Sequence, residues 1–404
     1  MRVVQKYGGT SVGSLERIRK TADLVEAQVR NGDEVLVVVS AMSGETNRLL
    51  QMAHEMTDEP NQREMDALVA TGEQVSAALL AIELRRRGIA SNSFNGRQVN
   101  MITDSSFTRA RIKDIRSEAM IEVMKAGGVP VVTGFQGVDE HGNITTLGRG
   151  GSDTSAVAMA IAVKADVCDI YTDVDGIYTT DPRIVSKATK INQIAYEEML
   201  EMASLGAKVL QTRSVELAMR FNMPIHLRSS FEPVQGTMVT KEDTTMERAE
   251  VTGIAYNRDE AKVTIQGIPD QPGIAASIFG PVADAGINVD VIVQNVSEQG
   301  FTDLTFTVPR GDYKATMELL KKTCAEMKAR DIKGDDTVAK VSIIGVGMRS
   351  HAGVAQKMFN VLAQEGVNIQ MITTSEIKVT VVLDEKYVEL AVRALHSAFD
   401  LENA

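Results

Sequence analysis

The chain has 404 residues, which is too long for one compact core and predicts two or three domains. Hydrophobic residues make up 44% and charged residues 24%, the ordinary proportions of a globular protein. The formal net charge of −11 argues against a nucleic acid or an anionic membrane as the main partner. Neither disulfide nor metal-ligand spacing is found among two cysteines and five histidines, and no apolar run of about 18 residues predicts a membrane span. A cytosolic protein is expected.

The N-terminal segment predicts a phosphate site. Val3–Tyr7 is predicted to be an apolar strand, Gly8–Ser14 a glycine-rich turn, and Leu15 to about Arg30 a helix. Glycines let the backbone approach a phosphate closely, and the N-terminus of a helix carries partial positive charge. Lys6 would add a full positive charge at the end of the strand. The glycine spacing matches neither a P-loop nor the dinucleotide fingerprint, so an ordinary tight connection with a surface lysine is the alternative.

Further strands and helices predict a doubly wound α/β domain with a mostly parallel sheet. Glu34–Val39 is apolar along its length, as expected of a central parallel strand covered on both faces. Further strands are predicted near Ala90–Phe94, Val129–Phe135, Val167–Thr172 and, as the last of the domain, Pro224–Arg228. Predicted helices cover Thr46–Met56, Gln62–Val69, Gly72–Arg87, Ile112–Ala126, a stretch from Thr154 to Ala165, Tyr196–Leu205, and one opening at Lys208.

Polar segments follow several of these strands. The turn Ser40–Asn47 leaves the carboxyl edge of the sheet, where ligands of open α/β sheets bind. A second glycine-rich turn, Gly148–Thr154, adds the cation Arg149 and the carboxylate Asp153 at the start of a helix. The acidic loop Asp173–Arg183 fails the EF-hand spacing and is interpreted as a nucleotide site. Two cationic glycine-rich turns at one edge suit phosphoryl transfer, which depends on positioning and electrostatic stabilisation.

The chain from Glu250 onwards contains an internal repeat at a fixed offset of eighty residues. The aligned pairs are Gly273 with Gly353, Phe279 with Phe359, Gly286 with Gly366, and Asn288 with Asn368. Each unit predicts the order strand–helix–strand–strand–helix, which is a small ferredoxin-like α+β module.

Together these motifs resemble the aspartate kinases, members of the amino-acid kinase family with tandem C-terminal ACT domains. The matching segments are Lys6–Ser11, Val39–Gly44, Thr71–Glu73, Gly148–Asp153, Tyr171–Gly176, Asp270–Gly273 and Ser375–Glu376. The resemblance covers essentially the whole chain. It implies a kinase domain over residues 1–240, a first ACT domain over 261–337, and a second ACT domain built from 250–258 plus 338–404, so that the first is inserted in the second.

The resemblance also implies a reaction. ATP, with Mg²⁺, would phosphorylate the side-chain carboxylate of L-aspartate to give 4-phospho-L-aspartate. This is the committed step towards threonine, methionine and, through diaminopimelate, lysine. An attacking carboxylate is already ionised at pH 7 and needs no general base, which agrees with the lack of a candidate histidine.

Site residues follow from the resemblance as well. Lys6 and Lys208 would stabilise the transferring phosphoryl group, and Asp153 would orient both lysines. The amino-acid pocket would contain Glu73 on the α-ammonium, Arg149 on a carboxylate, and Ser40, Thr46 and Ser152. ATP would contact Lys6, Gly8, Gly9, Ser11, Thr172, Asp173, Tyr178, Arg183 and Lys208, and no separate metal site is expected in the protein.

Each assignment has a plainer alternative. Arg149 could be a buried ion-pair partner, and Glu73 only a carboxylate that stabilises the start of a helix. Lys208 could be a solvated lysine, and Tyr178 could simply pack. At the level of the whole protein, the alternatives are a kinase for glutamate or acetylglutamate and a non-enzymatic amino-acid sensor. The sensor would have lost Lys6 or Asp153, and both are present.

Regulation is implied by the ACT pair. An effector, lysine or threonine or both, would bind Asp270, Gly273, Ile274, Ala275, Asn288 and Gln294 in the first repeat and His351, Val354, Ser375 and Glu376 in the second. The assembly would be a homo-oligomer, or an α₂β₂ form whose regulatory chain begins at the internal Met246.

Overall fold

A computed structural model describes residues 1–206, 209–242, 250–296, 300–351 and 353–403. They form two compact units. The first is built from residues within Met1–Tyr178, Lys190–Ser204 and Lys208–Met246, and the second from residues within Thr179–Thr189, Leu205–Ala207 and Glu247–Ala404. Lys208 and Met246, both named in the sequence analysis, lie outside the described residues.

The first unit alternates strands and helices along most of its length. Its strands are β1 (Arg2–Tyr7), β2 (Glu34–Val39), β3 (Ser91–Phe94), β4 (Met101–Thr103), β5 (Ile112–Ile115), β6 (Val129–Thr133), β7 (Gln136–Val138), β8 (Ile144–Thr146), β9 (Val167–Thr172), β10 (Ile177–Tyr178), β11 (Lys190–Ile191), β12 (Gln193–Ala195), β13 (Ile225–Ser229) and β14 (Thr237–Thr240). Its helices are α1 (Leu15–Arg30), α2 (Glu45–Met56), α3 (Gln62–Val69), α4 (Thr71–Arg86), α5 (Glu118–Lys125), α6 (Gly151–Ala162), α7 (Tyr196–Ser204) and α8 (Thr212–Phe221).

An eight-stranded sheet organises this unit, with the strand order β12–β14–β13–β9–β1–β2–β6–β3. Neighbouring strands are parallel except β13 and β14. Every residue of the run Val35–Val39 in β2 is at most 1% exposed. Helices α1 and α4 pack on its odd-numbered valines, and α5 and α6 also contact β2. The fold is therefore a doubly wound, mostly parallel α/β sheet.

Parallel pairing brings the carboxyl ends of β1, β2, β6 and β9 to one edge of the sheet. The register pairs Tyr7 with Val39 and with Tyr171, so the turns after these strands leave the sheet side by side. Ligands of open α/β sheets bind at such an edge because the loops and helix N-termini converge there. The first glycine-rich turn, Gly8–Ser14, begins at this edge of the sheet.

A smaller, four-stranded sheet with the order β5–β4–β7–β8 corrects one sequence prediction. The predicted helix Ile112–Ala126 is instead strand β5 followed by helix α5. Ile112 and Ile115 are spaced as on a helix, but their backbone pairs with Thr103 and Met101 of β4. Tertiary pairing overrides a short local pattern in such cases. Two further predictions were also wrong. The strand Pro224–Arg228 was expected to be the last of the domain, but β14 follows it. A helix was expected to open at Lys208, but α8 begins at Thr212.

Helices α3 and α4 follow one another with a single residue between them. The stretch Gln62–Arg86 is long and apolar enough to cross a membrane by length and composition alone. However, 56% of its most apolar window is buried inside the protein. That burial is expected of a core helix, because its apolar faces are already covered by neighbouring elements.

The second unit contains two ferredoxin-like repeats. Its strands are β15 (Gly253–Pro269), β16 (Asp290–Val296), β17 (Phe301–Val308), β18 (Asp331–Ile344), β19 (Met371–Thr374) and β20 (Lys378–Asp384). Its helices are α9 (Ile274–Asp284), α10 (Tyr313–Glu326), α11 (Val354–Gln364) and α12 (Val388–Ala398), with short 3₁₀ turns at Arg310–Asp312, Val346–Ser350 and Glu385–Tyr387.

The two repeats share one antiparallel sheet with the order β16–β17–β15–β18–β20–β19. The long strand β15 serves both: Gly253–Asn257 pairs with Lys340–Ile344, and Lys262–Gln266 pairs with Asp331–Asp335. Each repeat has its own apolar core, one with α9 and α10 and the other with α11 and α12.

The segment Thr179–Thr189, which includes the second half of the acidic loop, belongs to the second unit. The Thr179 hydroxyl lies 2.9 Å from Nε2 of the buried His396. Ile184 and Val185 pack against the core of the second repeat. The acidic loop thus begins in the first unit and ends in the second.

Candidate active site

A cavity of about 690 Å³ opens at the carboxyl edge of the main sheet in the first unit. Its walls come from the turn after β1, the turn after β2, helices α3 and α4, the segment around Gly148–Asp153, and Val209 and Gln211. The predicted site residues that line it are Lys6, Gly8, Gly9, Ser40, Thr46, Glu73, Arg149, Ser152, Asp153 and Thr172. The structure therefore brings together segments that are far apart in the sequence.

A buried ion pair lies in this cavity. Lys6 Nζ is 2.7 Å from Asp153 Oδ1, and each residue is 8% exposed. Lys6 comes from the end of β1, and Asp153 from the first turn of α6. The carboxylate fixes the position of the ammonium group, which keeps a full positive charge at the sheet edge.

Two helix N-termini without side-chain caps also line the cavity. Helix α2 begins after Gly44 and helix α6 after Gly150, and neither residue can cap its helix with a side chain. Both glycines have left-handed backbone angles, with φ of +82° and +67°. Uncapped N–H groups and the helix dipole attract anions. A Cβ atom at Gly150 would lie 1.7 Å from Gln211 Cγ, so a side chain there would clash.

Glu73 is the clearest sign of a ligand cation. The residue is 3% exposed, and one carboxylate oxygen accepts from the Ala41 backbone N–H at 3.2 Å. The other oxygen is buried without a hydrogen-bond partner among the described residues. Burial raises the pKa of Glu73 to about 7. A carboxylate that only stabilised a helix start would be solvated, whereas this one is arranged to accept from a bound ammonium group.

Arg149 is an exposed cation, in contrast to the buried carboxylate of Glu73. It is exposed at the cavity and forms no ion pair with any carboxylate of the described residues. The alternative of a buried ion-pair partner therefore does not hold. Gly148 and Gly150 flank it, both with positive φ. An unpaired guanidinium with its two parallel donors is suited to bind a carboxylate.

The turn after β1 offers fewer groups to a ligand than the sequence predicts. Ser11 does not line the cavity: it is fully buried, and its hydroxyl donates to Ser230 Oγ at 2.8 Å. The backbone N–H of Gly8 donates to the Tyr171 carbonyl at 3.2 Å. Gly9 is different, since its N–H has no backbone acceptor among the described residues.

The residue just before the acidic loop, Thr172 at the end of β9, lines the cavity, and its hydroxyl donates to Asp173 at 3.1 Å. Asp173 itself is exposed and does not line the cavity. Tyr178 donates its hydroxyl to Asp175 at 3.0 Å. Arg183 pairs with Asp181 at 2.8 Å and belongs to the second unit. Asp173 and Tyr178 thus do not line this cavity.

Sequence reasoning missed Asp66, which lines the cavity from helix α3 and is fully buried. A signal was present in the sequence. Asp66 adjoins Met65 and lies three residues before Val69, and both of these are buried on the same helix. An acidic residue on the apolar face of a helix indicates a specific partner.

Two of the predicted effector residues, Gly273 and Ile274, have counterparts at the same place in the second repeat, Gly353 and Val354. Gly273 and Gly353 precede α9 and α11 with φ of +93° and +97°, and neither helix has a side-chain cap. Asp270 is exposed in the first repeat. In the second repeat, Glu376 lies 3.5 Å from Arg349.

Nothing in the described ranges suggests a metal centre built by the protein alone. No group of three or more His, Cys, Asp or Glu side chains among them could hold an ion.

Comparison with protein families agrees with this architecture. A model of the amino acid kinase family matches residues 1–229. Models of the ACT domain match residues 263–325 and 341–399.

Similar proteins cover the chain from end to end. An aspartate kinase of Stutzerimonas stutzeri is 57% identical over 401 residues, which is 99% of this chain and 97% of the relative. The aspartokinase of Helicobacter pylori strain J99 is 50% identical over 406 residues, covering 100% of both chains. The chain belongs to the aspartate kinase family. It is accordingly an ATP-dependent kinase with aspartate as its acceptor.

Solved structures lead to the same conclusion. Aspartokinase III of E. coli in complex with aspartate and ADP superposes with a TM-score of 0.82 at 30% identity, covering 98% of this chain and 99% of the other. The same protein in complex with lysine and aspartate has a TM-score of 0.78 at 30% identity, with 98% and 99% coverage. The fold of this aspartate kinase is thus an amino acid kinase domain followed by tandem ACT domains.

Proposed function

We propose that the enzyme transfers the γ-phosphoryl group of ATP to the side-chain carboxylate of L-aspartate, giving ADP and 4-phospho-L-aspartate. The observation that carries the proposal is the set of charges in one cavity: an unpartnered carboxylate oxygen, an unpaired guanidinium, a buried lysine and two uncapped helix N-termini. An amino acid with two carboxylates needs an acceptor for its ammonium group and a cation for a carboxylate, and a polyphosphate needs positive charge. The cavity supplies all of these groups.

In the proposed arrangement, Glu73 accepts from the α-ammonium group of aspartate and Arg149 binds one of its carboxylates. Ser40, Thr46 and Ser152 line the same pocket. The complex of E. coli aspartokinase III with aspartate and ADP supports a common cavity for both ligands. This pose leaves the second carboxylate of aspartate free to face the phosphates.

Lys6, oriented by Asp153, stabilises the negative charge on the transferring phosphoryl group, and Lys208 is proposed to assist it. The N-termini of α2 and α6 and the N–H of Gly9 supply further positive potential for phosphate. The aspartate side-chain oxygen forms its bond to the γ-phosphorus as the bond to the bridging oxygen of ADP breaks. No proton moves in this step, because the nucleophile is already a carboxylate.

The residues present fit Mg²⁺ that arrives bound to the nucleotide. Mg²⁺ in kinases keeps several waters and takes one or two carboxylates, and the exposed Asp173 follows Thr172 of the cavity wall. When bound, Mg²⁺ neutralises charge on the phosphate oxygens. Tyr178 and Arg183 are kept as proposed nucleotide contacts on the ground of the sequence resemblance.

The product can be trapped chemically. An acyl phosphate reacts with hydroxylamine to give a hydroxamate, whereas a phosphate ester does not. With ATP, Mg²⁺, aspartate and hydroxylamine, we expect aspartyl β-hydroxamate to accumulate in step with ADP. ADP without hydroxamate would contradict the proposed product.

We propose in addition that lysine, threonine or both inhibit the enzyme through the ACT pair, whose domains we assign to 261–337 and to 250–258 plus 338–404. The complex of E. coli aspartokinase III with lysine supports an effector of this class. The uncapped starts of α9 and α11 suit an effector carboxylate, and Asp270 or Glu376 suits its ammonium group. We also propose that the enzyme is cytoplasmic and forms either a homo-oligomer or an α₂β₂ assembly.

The substitution Arg149→Lys tests carboxylate recognition. It keeps the charge but loses the two parallel donors, so KM for aspartate should rise by about tenfold while KM for ATP stays nearly constant. Initial rates with each substrate varied in turn measure both constants. Changes below about twofold in both would make Arg149 a structural residue.

The pKa of Glu73 predicts the pH dependence of aspartate binding. Burial raises this pKa to about 7, so the side chain is ionised above pH 7 and protonated below it. An ammonium ligand requires the ionised form. KM for aspartate should therefore rise as pH falls through 7, by about tenfold per unit well below the pKa. Measurements from about pH 6 to about pH 8 should show this rise, and Glu73→Gln should have a high KM that no longer changes with pH.

A further inference from the structure

Asp66 is a fully buried carboxylate that accepts only from uncharged donors. Its oxygens accept from the Thr108 backbone N–H at 2.9 and 3.1 Å, from the Thr146 backbone N–H at 2.8 Å and from the Thr146 hydroxyl at 2.7 Å. No cation of the described residues pairs with it. Burying an ion in this way is costly unless each donor is well aligned, so the arrangement is specific.

These donors belong to two different segments of the chain. Thr108 has a left-handed backbone, φ +67°, which is unfavourable for a β-branched residue and persists only when neighbouring groups hold it. Thr146 ends strand β8. Helix α3, through Asp66, therefore ties the loop before β5 to the end of β8.

The same two segments support the turn that carries Arg149. Arg149 follows Thr146 by three residues, and the Gly148 Cα lies so close to the Thr108 carbonyl that an added Cβ would be 3.1 Å from it. The Ala110 N–H donates to the Thr146 carbonyl at 2.8 Å. Gly148 and Gly150 make the turn itself permissive, so its position depends on what holds its base.

We infer that Asp66 is a positioning residue for substrate recognition: its hydrogen bonds to Thr108 and Thr146 fix the turn that presents Arg149 to the acceptor amino acid. The inference rests on the proposed role of Arg149 and deepens it. Asp66 need not touch the substrate, because it acts through the backbone of the turn.

The chain offers a matched control in Asp139. That carboxylate is also buried, and it also accepts from two backbone N–H groups, of His141 and Asn143, and from one hydroxyl, of Ser105. It lies in the turn between β7 and β8, also accepts from the Asn143 side-chain amide at 3.0 Å, and does not line the cavity. Asp139→Asn therefore shows how the loss of a buried, hydrogen-bonded carboxylate near the cavity affects KM when that carboxylate does not line it.

The test compares Asp66→Asn with Asp139→Asn. Asparagine keeps the size but turns an acceptor into a donor that faces N–H groups. KM for aspartate should rise by about tenfold or more in Asp66→Asn, with KM for ATP within about twofold, and should hardly change in Asp139→Asn. Equal changes in the two variants, or equal effects on aspartate and ATP, would overturn the inference. If Asp66→Asn fails to fold, Thr146→Val removes the hydroxyl donor alone, and a change in KM for ATP as large as that for aspartate would again overturn it.

A double-mutant cycle with Arg149→Lys separates this inference from the proposed function. If Asp66 acts through Arg149, the double variant should raise KM for aspartate by less than the product of the single effects. Multiplicative effects would show that Asp66 acts by another route and contradict the inference. No effect of Arg149→Lys by itself would instead contradict the proposed role of Arg149.

Discussion

Replacement of Lys6 by alanine should lower kcat by about a hundredfold to a thousandfold, the usual loss when one preorganised donor to a transition-state charge is removed. Lys6 is held by Asp153 at 2.7 Å in a site where both residues are 8% exposed. A charge in such a place acts most strongly on the group that becomes negative during transfer. Steady-state rates with saturating ATP and aspartate measure the effect.

Stability must be separated from catalysis in this experiment. Lys6→Ala leaves Asp153 buried without its counter-charge, which costs about 3–5 kcal/mol in typical buried pairs. The double variant Lys6→Ala, Asp153→Asn removes that charge and should recover most of the lost melting temperature without recovering kcat. An unchanged kcat with a raised KM for ATP would show that Lys6 only binds ground-state nucleotide.

Replacement of Asp270 by alanine should relieve feedback inhibition while leaving the uninhibited kcat nearly intact. Asp270 is exposed in the first repeat, beside the turn that starts α9. If the carboxylate accepts from the ammonium group of the effector, its loss removes the preference of the effector for the less active arrangement. Coupling of this kind is commonly about 1–3 kcal/mol, or about 5-fold to 150-fold in effector affinity.

The measurement is initial rate against lysine and threonine, added singly and together, for the wild type and Asp270→Ala. Asp284→Ala serves as the control, since it removes another exposed carboxylate at the far end of α9. Identical inhibition curves for the wild type and Asp270→Ala would exclude Asp270 from the effector site. No inhibition of the wild type under any combination would refute the regulatory proposal.

Much of the fold could be predicted because its signals are local. The apolar run of β2 indicates a strand covered on both faces, and Val35–Val39 is indeed buried. The eighty-residue repeat gives two equivalent modules with Gly273 and Gly353 before matching helices. Strand β5 was missed because Ile112 and Ile115 are spaced as on a helix, and only pairing with β4 decides their conformation.

The charged residues of the site could be predicted from the sequence, but the hydrogen bonds made by its backbone and by Ser11 could not. Lys6 and Asp153 could be predicted because one is a cation near the end of a strand and the other a carboxylate at the start of a helix. By contrast, Ser11 is removed from the cavity by Ser230, more than two hundred residues away, and the Gly8 N–H is taken by Tyr171. No local pattern shows which N–H groups of a turn other strands will use.

Release of ADP reports whether this cavity selects aspartate as phosphoryl acceptor. A coupled assay should compare aspartate, glutamate and acetylglutamate at equal concentrations with ATP and Mg²⁺. We expect rapid ADP release with aspartate and little with the other two, because Glu73 needs a free ammonium group and, with the α-ammonium and α-carboxylate held by Glu73 and Arg149, a side chain of aspartate's length places its carboxylate at the phosphates. Acetylglutamate lacks that ammonium group, and glutamate is longer by one methylene. Equal or faster ADP release with glutamate or acetylglutamate would contradict the selection of aspartate by Glu73 and Arg149.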